Sequence, residues 1–519
     1  MPEQCRIMMG LAVVFLALCH LVSGAQPRHQ GSTSSCPTPA VLDAAVRRFS
    51  RLLQFQTVSD RDARLHVLHE DQFTKLHAFL AESYPEVHKA LTVEQVGEGN
   101  LSLLLTWPGS APELKPLLFI SHLDVVPVAE ETLSEWTYPP FSGAIAEGFV
   151  WGRGALDVKI GVIGLLEAVT ALLASGWAPR RTLLLAFGQD EEVGGDLGAG
   201  STAALLVSRG ITELDAVIDE GSVVMEDGFA PYITNKPIAL ISTAEKGYYS
   251  VQVQVHGQGG HSSVPPIAPG RSAPAQAGML LVALDTQPMR GALVPPVTDM
   301  LRAMAPLVDK PWLQTLFADC ERPEYAERIL NGHLLVDTPM TAALAHTTTA
   351  VTGVQGYVGD NVLPPSVTVT VNSRLLPGDT VESVMAHLQG LVTNLGINAT
   401  FHPVRPDVDP EQALATPVTS ASGRHFTGIK QALQEGWQGA VPGQEGPLTV
   451  VPYLMSGGTD SRHYLKLSTG GVLRFVPTGA NQTAGDMARI HGLNERLSIT
   501  GLGRAMCTYM RVVQLLADE

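Results

Sequence analysis

The segment Leu117-Leu118-Phe119-Ile120-Ser121-His122-Leu123-Asp124 runs from an apolar stretch straight into a histidine and an aspartate. A short apolar run without alternation reads as a strand covered on both faces, as in parallel sheets. Three further segments repeat the form. Residues 182–187 lead into Asp190-Glu191-Glu192, Ala216-Val217-Ile218 into Asp219-Glu220-Gly221, and residues 448–454 into Ser456-Gly457-Gly458-Thr459-Asp460. A helix over 160–174, entered through the Gly-rich turn Trp151-Gly152-Arg153-Gly154, separates the first two. Strands alternating with helices predict an α/β fold with a mostly parallel central sheet. The working groups of such sheets gather beyond the carboxyl ends of the strands, where these acids and the histidine stand.

On the N-terminal side, Val41, Ala45, Phe49 and Leu52 recur at helical spacing, and a second helix is expected over 72–83. His66, His69 and His77 read as surface histidines. On the C-terminal side the pattern changes after Glu245. Tyr249, Val251, Val253 and Val255 alternate with polar residues, and 367–371 does likewise. Helical patterns lie between these strands (273–284) and after them (381–391), and 400–409 closes the block. Alternation predicts antiparallel strands with one covered face, so a smaller α+β unit is expected to interrupt the first domain. The expected organisation is a signal peptide over 1–24, a flexible segment over 25–37, a main α/β domain over 38–245 and 411–519, and an inserted α+β unit over 246–410. Residues 434–447, rich in Gly and Pro, read as a loop.

His122, Asp124, Asp157, Glu191, Glu192, Asp219 and His491 form the chemical set. Imidazole and carboxylate without thiolate suit zinc or a similar divalent ion. These are more groups than one ion needs. A two-metal site wants one carboxylate bridging ions roughly 3.5–4 Å apart, and a free carboxylate as base. Adjacent glutamates can divide ligation from proton transfer, and His122 with Asp124 offers a ligand and the acid that orients it.

Ser-His-Leu-Asp-Val-Val-Pro (121–127), Gly-Arg-Gly-Ala-Leu-Asp-Val-Lys (152–159), Asp-Glu-Glu-Val-Gly-Gly (190–195), Gly-Gly-His-Ser-Ser (259–263), Ser-Gly-Gly-Thr-Asp-Ser-Arg (456–462) and His-Gly-Leu-Asn-Glu-Arg (491–496) occur together and in order. With these motifs the chain resembles the co-catalytic zinc aminoacylase/carboxypeptidase family over nearly all of its length. The resemblance implies two Zn²⁺ per chain, bridged by Asp157. Glu192 and His491 would complete one ion, His122 and Asp219 the other. Glu191 would be the general base and Asp124 the residue that orients His122. The resemblance makes 38–245 and 411–519 the zinc catalytic domain and 246–410 a lid of the dimerisation type, from which His261 would polarise the scissile carbonyl. Asn361, Arg374, Ser456, Gly457, Gly458 and Arg462 would hold substrate. Gln189 stands where relatives often carry a histidine or a small polar residue. The resemblance implies hydrolysis, and in reverse synthesis, of N-fatty-acyl amino acids from fatty acids and amino acids. It also suggests a homodimer formed through the lid.

Arg6 followed by the apolar stretch 7–18 and small residues at 22–25 reads as a secretory signal, so a secreted, extracellular enzyme is expected. No later apolar run approaches a membrane span. Asn100, Asn398 and Asn481 head glycosylation sequons. Cys36, Cys320 and Cys507 remain after processing and permit at most one bridge. The chain has 519 residues and a net charge of −16, which leaves no basic excess for a nucleic-acid partner. Neither a Gly-x-Ser-x-Gly elbow nor His-Glu-x-x-His is present, against a serine hydrolase and a zincin helix. Two alternatives stand beside the main reading. One is a secreted dipeptidase or carboxypeptidase on the same site; the other is an inactive carrier built on the same scaffold.

Overall fold

The computed structural model describes residues 37–267, 272–406, 410–439 and 446–518. The expected signal peptide and almost all of the expected flexible segment lie outside the described residues. In chain order the main strands are β1 (Thr92–Val96), β2 (Ser102–Trp107), β3 (Leu117–His122), β4 (Leu183–Gly188), β5 (Ala216–Met225), β6 (Ile238–Glu245), β7 (Gly247–His256), β8 (Thr348–Gln355), β9 (Ser366–Leu375), β10 (Ala399–Pro403), β11 (Thr449–Met455) and β12 (Val472–Ala480).

Eight of them form the larger sheet, in the order β1-β2-β4-β3-β5-β12-β6-β11. The centre, β4-β3-β5-β12, is parallel throughout, as is the pair β6-β11 at one edge. The other pairings along that order are antiparallel. The apolar runs explain the burial: Leu117 and Phe119 enter one core, while Leu118 and Ile120 enter another on the opposite face. Successive side chains of a strand point to opposite faces, so an all-apolar run needs a layer on each side.

The helix Lys159–Ala174 lies almost entirely buried on one of those faces, beside the C-terminal helix Ile499–Ala517. Gly164 permits the contact: a Cβ there would stand 2.8 Å from the Tyr509 ring. The strand ends β3, β4 and β5 deliver His122, the Asp190-Glu191-Glu192 turn and Asp219-Glu220 to one rim.

The smaller sheet, β8-β9-β7-β10, is wholly antiparallel. Val251, Val253 and Val255 of β7 oppose Val371, Val369 and Val367 of β9 and bury against helices Ala273–Thr286 and Val381–Asn394. The alternation seen in the sequence therefore becomes one covered face. The stretch 246–410 does not share a single core, however. Val297, Met300, Leu301, Leu313 and Phe317, on helices between 297 and 318, pack with Met225, Ile238, Leu240, Val451 and Leu454 of the larger sheet. Two corrections are local. Helix Arg424–Gly436 extends into the expected loop 434–447. His77 is not on the surface: it is buried on helix Glu70–Ser83 and bonded to the Leu101 carbonyl at 3.0 Å.

Candidate metal centre

Asp157 sits at the middle of the site. Its Oδ1 lies 3.1 Å from His122 Nε2, and its Oδ2 lies 3.1 Å from His491 Nε2. Two sets of ligand atoms follow, each with its atoms within 4.8 Å of one another: His122, Asp157 and Glu220, and Asp157, Glu192 and His491. Glu220 Oε1 is 3.4 Å from His122 Nε2, and Glu192 Oε2 is 3.0 Å from His491 Nε2. The expected Asp219 is therefore corrected to Glu220. The cause is a bulge in β5: Asp219 pairs with Arg474, but the next paired residue, opposite Phe475, is Ser222. Glu220 and Gly221 are left as extra, unpaired residues, and a bulge of this kind re-aims a side chain. Asp219 instead caps backbone, accepting from Glu220 N at 2.8 Å and Ser461 N at 2.7 Å.

Asp124 ties the site's parts together. Its Oδ1 lies 3.3 Å from His122 Nδ1. The same carboxylate accepts from the backbone N–H groups of Glu191 and Glu192, at 3.2 and 3.1 Å. His122 Nδ1 also lies 3.0 Å from the Asp124 backbone carbonyl, so one residue holds both the histidine ring and the turn that carries both glutamates.

The electrostatics are those of a crowded anionic pocket. Burial pushes the Glu191 carboxyl well above its ordinary value, and the charges of Glu220, Asp460 and Glu192 add to that. Burial, with Asp157 adding, takes Glu220 up to about 8. Hydrogen bonds to Asp157 and Glu192 take His491 up to about 10. Burial would raise Asp157 too, but the hydrogen bonds of both histidines hold its carboxyl below the usual range. Among the described residues, no Lys or Arg forms an ion pair with Asp157, Glu191, Glu192 or Glu220. Buried carboxylates without a protein cation are costly. Together with imidazole ligands and no thiolate, they fit a pair of divalent cations.

The expected substrate residues are placed unevenly. Arg374 on β9 stacks over Tyr248 at 4.6 Å, and burial and the nearby charge of Arg462 lower its pKa. Those two guanidinium groups are brought together. Ser456 is exposed and Gly457 and Gly458 are half-buried just beyond β11. His261 and Asn361 are exposed on the smaller unit; His261 Nδ1 accepts from Ser263 N at 3.1 Å, and Asn361 O accepts from Ser262 N. No hydrogen bond or ion pair among the described residues joins either to the acidic group. Gln189 is buried, bonding Ser102 and the Leu65 carbonyl. Asn100 and Asn398 are exposed, and Asn481 is half-buried with its Oδ1 accepting from Ala484 N. Cys507 is disulfide-bonded and Cys320 is a buried free thiol.

Glu495 and Arg153 received no role from the sequence, although both lie in quoted motifs. Glu220, next to the expected Asp219, is the member of that acidic pair that meets His122 and Asp157. An acidic pair at a strand end marks such a site, but strand alternation alone cannot say which member faces it.

A family model described as Peptidase family M20/M25/M40 matches residues 118–515. The mouse N-fatty-acyl-amino acid synthase/hydrolase PM20D1 is 31% identical over 517 residues, covering 96% of this chain and 94% of that protein. A probable carboxypeptidase S-like 2 from Dictyostelium discoideum is 30% identical over 477 residues, 90% of this chain and 84% of that protein. Among solved structures, an M20 family metallo-carboxypeptidase from Sulfolobus solfataricus superposes with a TM-score of 0.62 at 17% identity, covering 91% and 98% of the two chains. That likeness speaks for the fold.

Proposed function

The chain belongs to peptidase family M20/M25/M40, and on that premise we propose that it is a secreted two-zinc amidohydrolase acting on N-fatty-acyl amino acids. The observation that carries the two-metal part is the placement of Asp157, with one oxygen toward His122 and the other toward His491. One ion would be held by His122, Asp157 and Glu220, the other by Asp157, Glu192 and His491. Bound there, the ions would supply Lewis acidity and lower the pKa of a metal-bound water.

Glu191 takes the proton of the attacking water and delivers it to the departing amine nitrogen. The amide C–N bond breaks, the water oxygen stays on the acyl carbon, and free acid and amine result. Burial raises the proton affinity of the Glu191 carboxylate, in the direction a general base needs. Asp124 holds His122 and the Glu191-Glu192 turn in register. Arg374 and Arg462 suit the carboxylate of an amino acid, and His261 and Asn361 would meet substrate when the lid approaches. The same residues serve the reverse condensation, by microscopic reversibility. Support for the substrate comes from the name of the mouse relative, which spans nearly the whole chain. The apolar N-terminal stretch, the sequons and the disulfide-bonded Cys507 support secretion.

The Dictyostelium relative's name favours a second reading, a carboxypeptidase acting on peptides. Purified protein offered an N-long-chain-acyl amino acid and a dipeptide separates the two. We expect about two zincs per chain and a kcat/KM at least about tenfold higher for the acyl amino acid; preference for the dipeptide would transfer the assignment to the second reading. Glu191→Gln should lower kcat by about 10²–10⁴ with both zincs retained. Normal turnover by that variant would remove Glu191 from its role.

A further inference from the structure

The segments that carry Asp157 and His491 are far apart in sequence and meet behind the metal centre at one carboxylate. Glu495 is fully buried. Its Oε2 accepts from Arg153 Nη1 at 2.7 Å and from Gly154 N at 2.9 Å. Its Oε1 accepts from Leu156 N at 2.7 Å and from Asp157 N at 3.1 Å. The Glu495 carbonyl accepts from Gly152 N at 2.9 Å. Arg153 closes the loop from the other side: its Nη2 donates to the His491 carbonyl at 3.1 Å, while its guanidinium sits 5.5 Å from the Trp136 ring centroid.

The two ligands need such a hold. Asp157 belongs to a turn with no strand pairing of its own, and its backbone N–H is one of the groups Glu495 fixes. His491 has a left-handed backbone, φ 57°, which a non-glycine residue adopts at a cost of about 1–2 kcal/mol unless its surroundings impose it. Its side chain is 49% exposed, so packing does little to hold it. Among the described residues, Arg153 supplies the side-chain hydrogen bond to the His491 backbone, and Glu495 in turn holds Arg153.

We propose that Glu495, acting through Arg153 and the 152–157 turn, is the positioning residue that sets the distance between Asp157 and His491 and so builds the ion site formed by Asp157, Glu192 and His491. The inference rests on the two-zinc reading. Glu495 touches neither substrate nor ion; it acts through the ligands. Two carboxylate oxygens that accept four N–H bonds leave no place for a donor, so an amide cannot replace it without turning an N–H toward an N–H. The neighbouring ion shares Asp157 but not His491, and depends on Glu495 less.

Metal-stripped full-length protein titrated with Zn²⁺ against a competing chelator tests this, with Co²⁺ absorption as a second record of ligand geometry. The wild type should take up two zincs. Glu495→Gln should weaken one of them about 10–100-fold, shift the Co²⁺ spectrum of that site, and affect the other zinc less. Circular dichroism confirms that the variant is folded. A purely structural role would lower thermal stability and leave both zinc constants in place, and folded Glu495→Gln with two wild-type zinc constants would overturn the proposal. If Glu495→Gln does not fold, Arg153→Lys decides, since it leaves the carboxylate and its three backbone donors intact. It should weaken the same zinc, and an unchanged constant there would equally overturn the proposal. A wild type that binds no zinc would instead sink the two-zinc reading itself.

Discussion

Asp219 and Glu220 are neighbours of the same charge with opposite jobs, and the difference is where each carboxylate finds its partners. Asp219 is satisfied by two backbone N–H groups, whereas Glu220 faces His122 and Asp157. Glu220→Gln should therefore lose one zinc and most activity. Asp219→Asn should keep two zincs while costing about 1–3 kcal/mol, because one buried N–H loses its acceptor. Zinc content of the two purified variants checks both expectations. His77 offers a test outside the site. Burial lowers its pKa from 6.5 to about 4 despite the bond to the Leu101 carbonyl. The folded chain thus keeps His77 neutral where the unfolded chain takes a proton. Stability is complete above about pH 6.5 and falls as pH drops toward 4, by roughly 3 kcal/mol from this group. His77→Gln should flatten that part of a denaturation-versus-pH curve; an unchanged slope would assign the acid sensitivity elsewhere.

At the scale of elements, the two helices packed on the smaller sheet begin at side-chain caps. Thr380 and Ser383 form a capping box at the head of helix Val381–Asn394, with Ser383 N donating to Thr380 Oγ1 at 3.2 Å and Thr380 N to Ser383 Oγ at 3.1 Å. Its buried face, Val384, Leu388, Leu391 and Val392, joins the valines of β7 and β9. Thr380→Ala removes one cap and should cost about 1 kcal/mol, read as a lower urea midpoint with unchanged slope. The helix Lys159–Ala174 follows a different logic. It is apolar on nearly every side because sheet and C-terminal helix enclose it, and the hydroxyl of Ser121 and the ring of Tyr509 approach Gly161 and Gly164 closely.

Across the whole molecule, the two sheets join where β6 ends and β7 begins, and a buried ion pair marks the joint. Glu245 Oε2 lies 2.9 Å from Arg474 Nη2, with both side chains essentially inaccessible. Thr459 Oγ1 donates to Glu245 Oε1 at 2.7 Å, and Arg474 Nε donates to Ser461 Oγ at 3.0 Å. The network ties the joint to the 456–462 motif beside the metal centre. Arg474→Met strands a buried carboxylate, so a loss of about 3–5 kcal/mol is expected, measured by thermal or chemical unfolding. Glu245→Gln with Arg474→Met together should recover part of it.

The sequence by itself determined the sheet and most of the site. Apolar runs such as 117–120 can be satisfied only by layers on both faces, and the alternating valines of β7 and β9 only by one. His122, Glu191 and Glu192 were legible because their chemistry coincides with their place at the ends of apolar runs, whereas Asp157 and His491 were legible only through the resemblance of the 152–159 and 491–496 motifs. Tertiary structure decided the rest. Glu220 replaced Asp219 because a bulge re-aims the chain, and a bulge depends on what the neighbouring strand β12 pairs with. The helices from 297 to 318 joined the larger sheet rather than the lid, because apolar surface packs against whichever face is open, not the one nearest in sequence. Glu495 could not be read at all. Its role exists only where four N–H groups converge on one carboxylate, and the residues that carry them stand more than three hundred positions away.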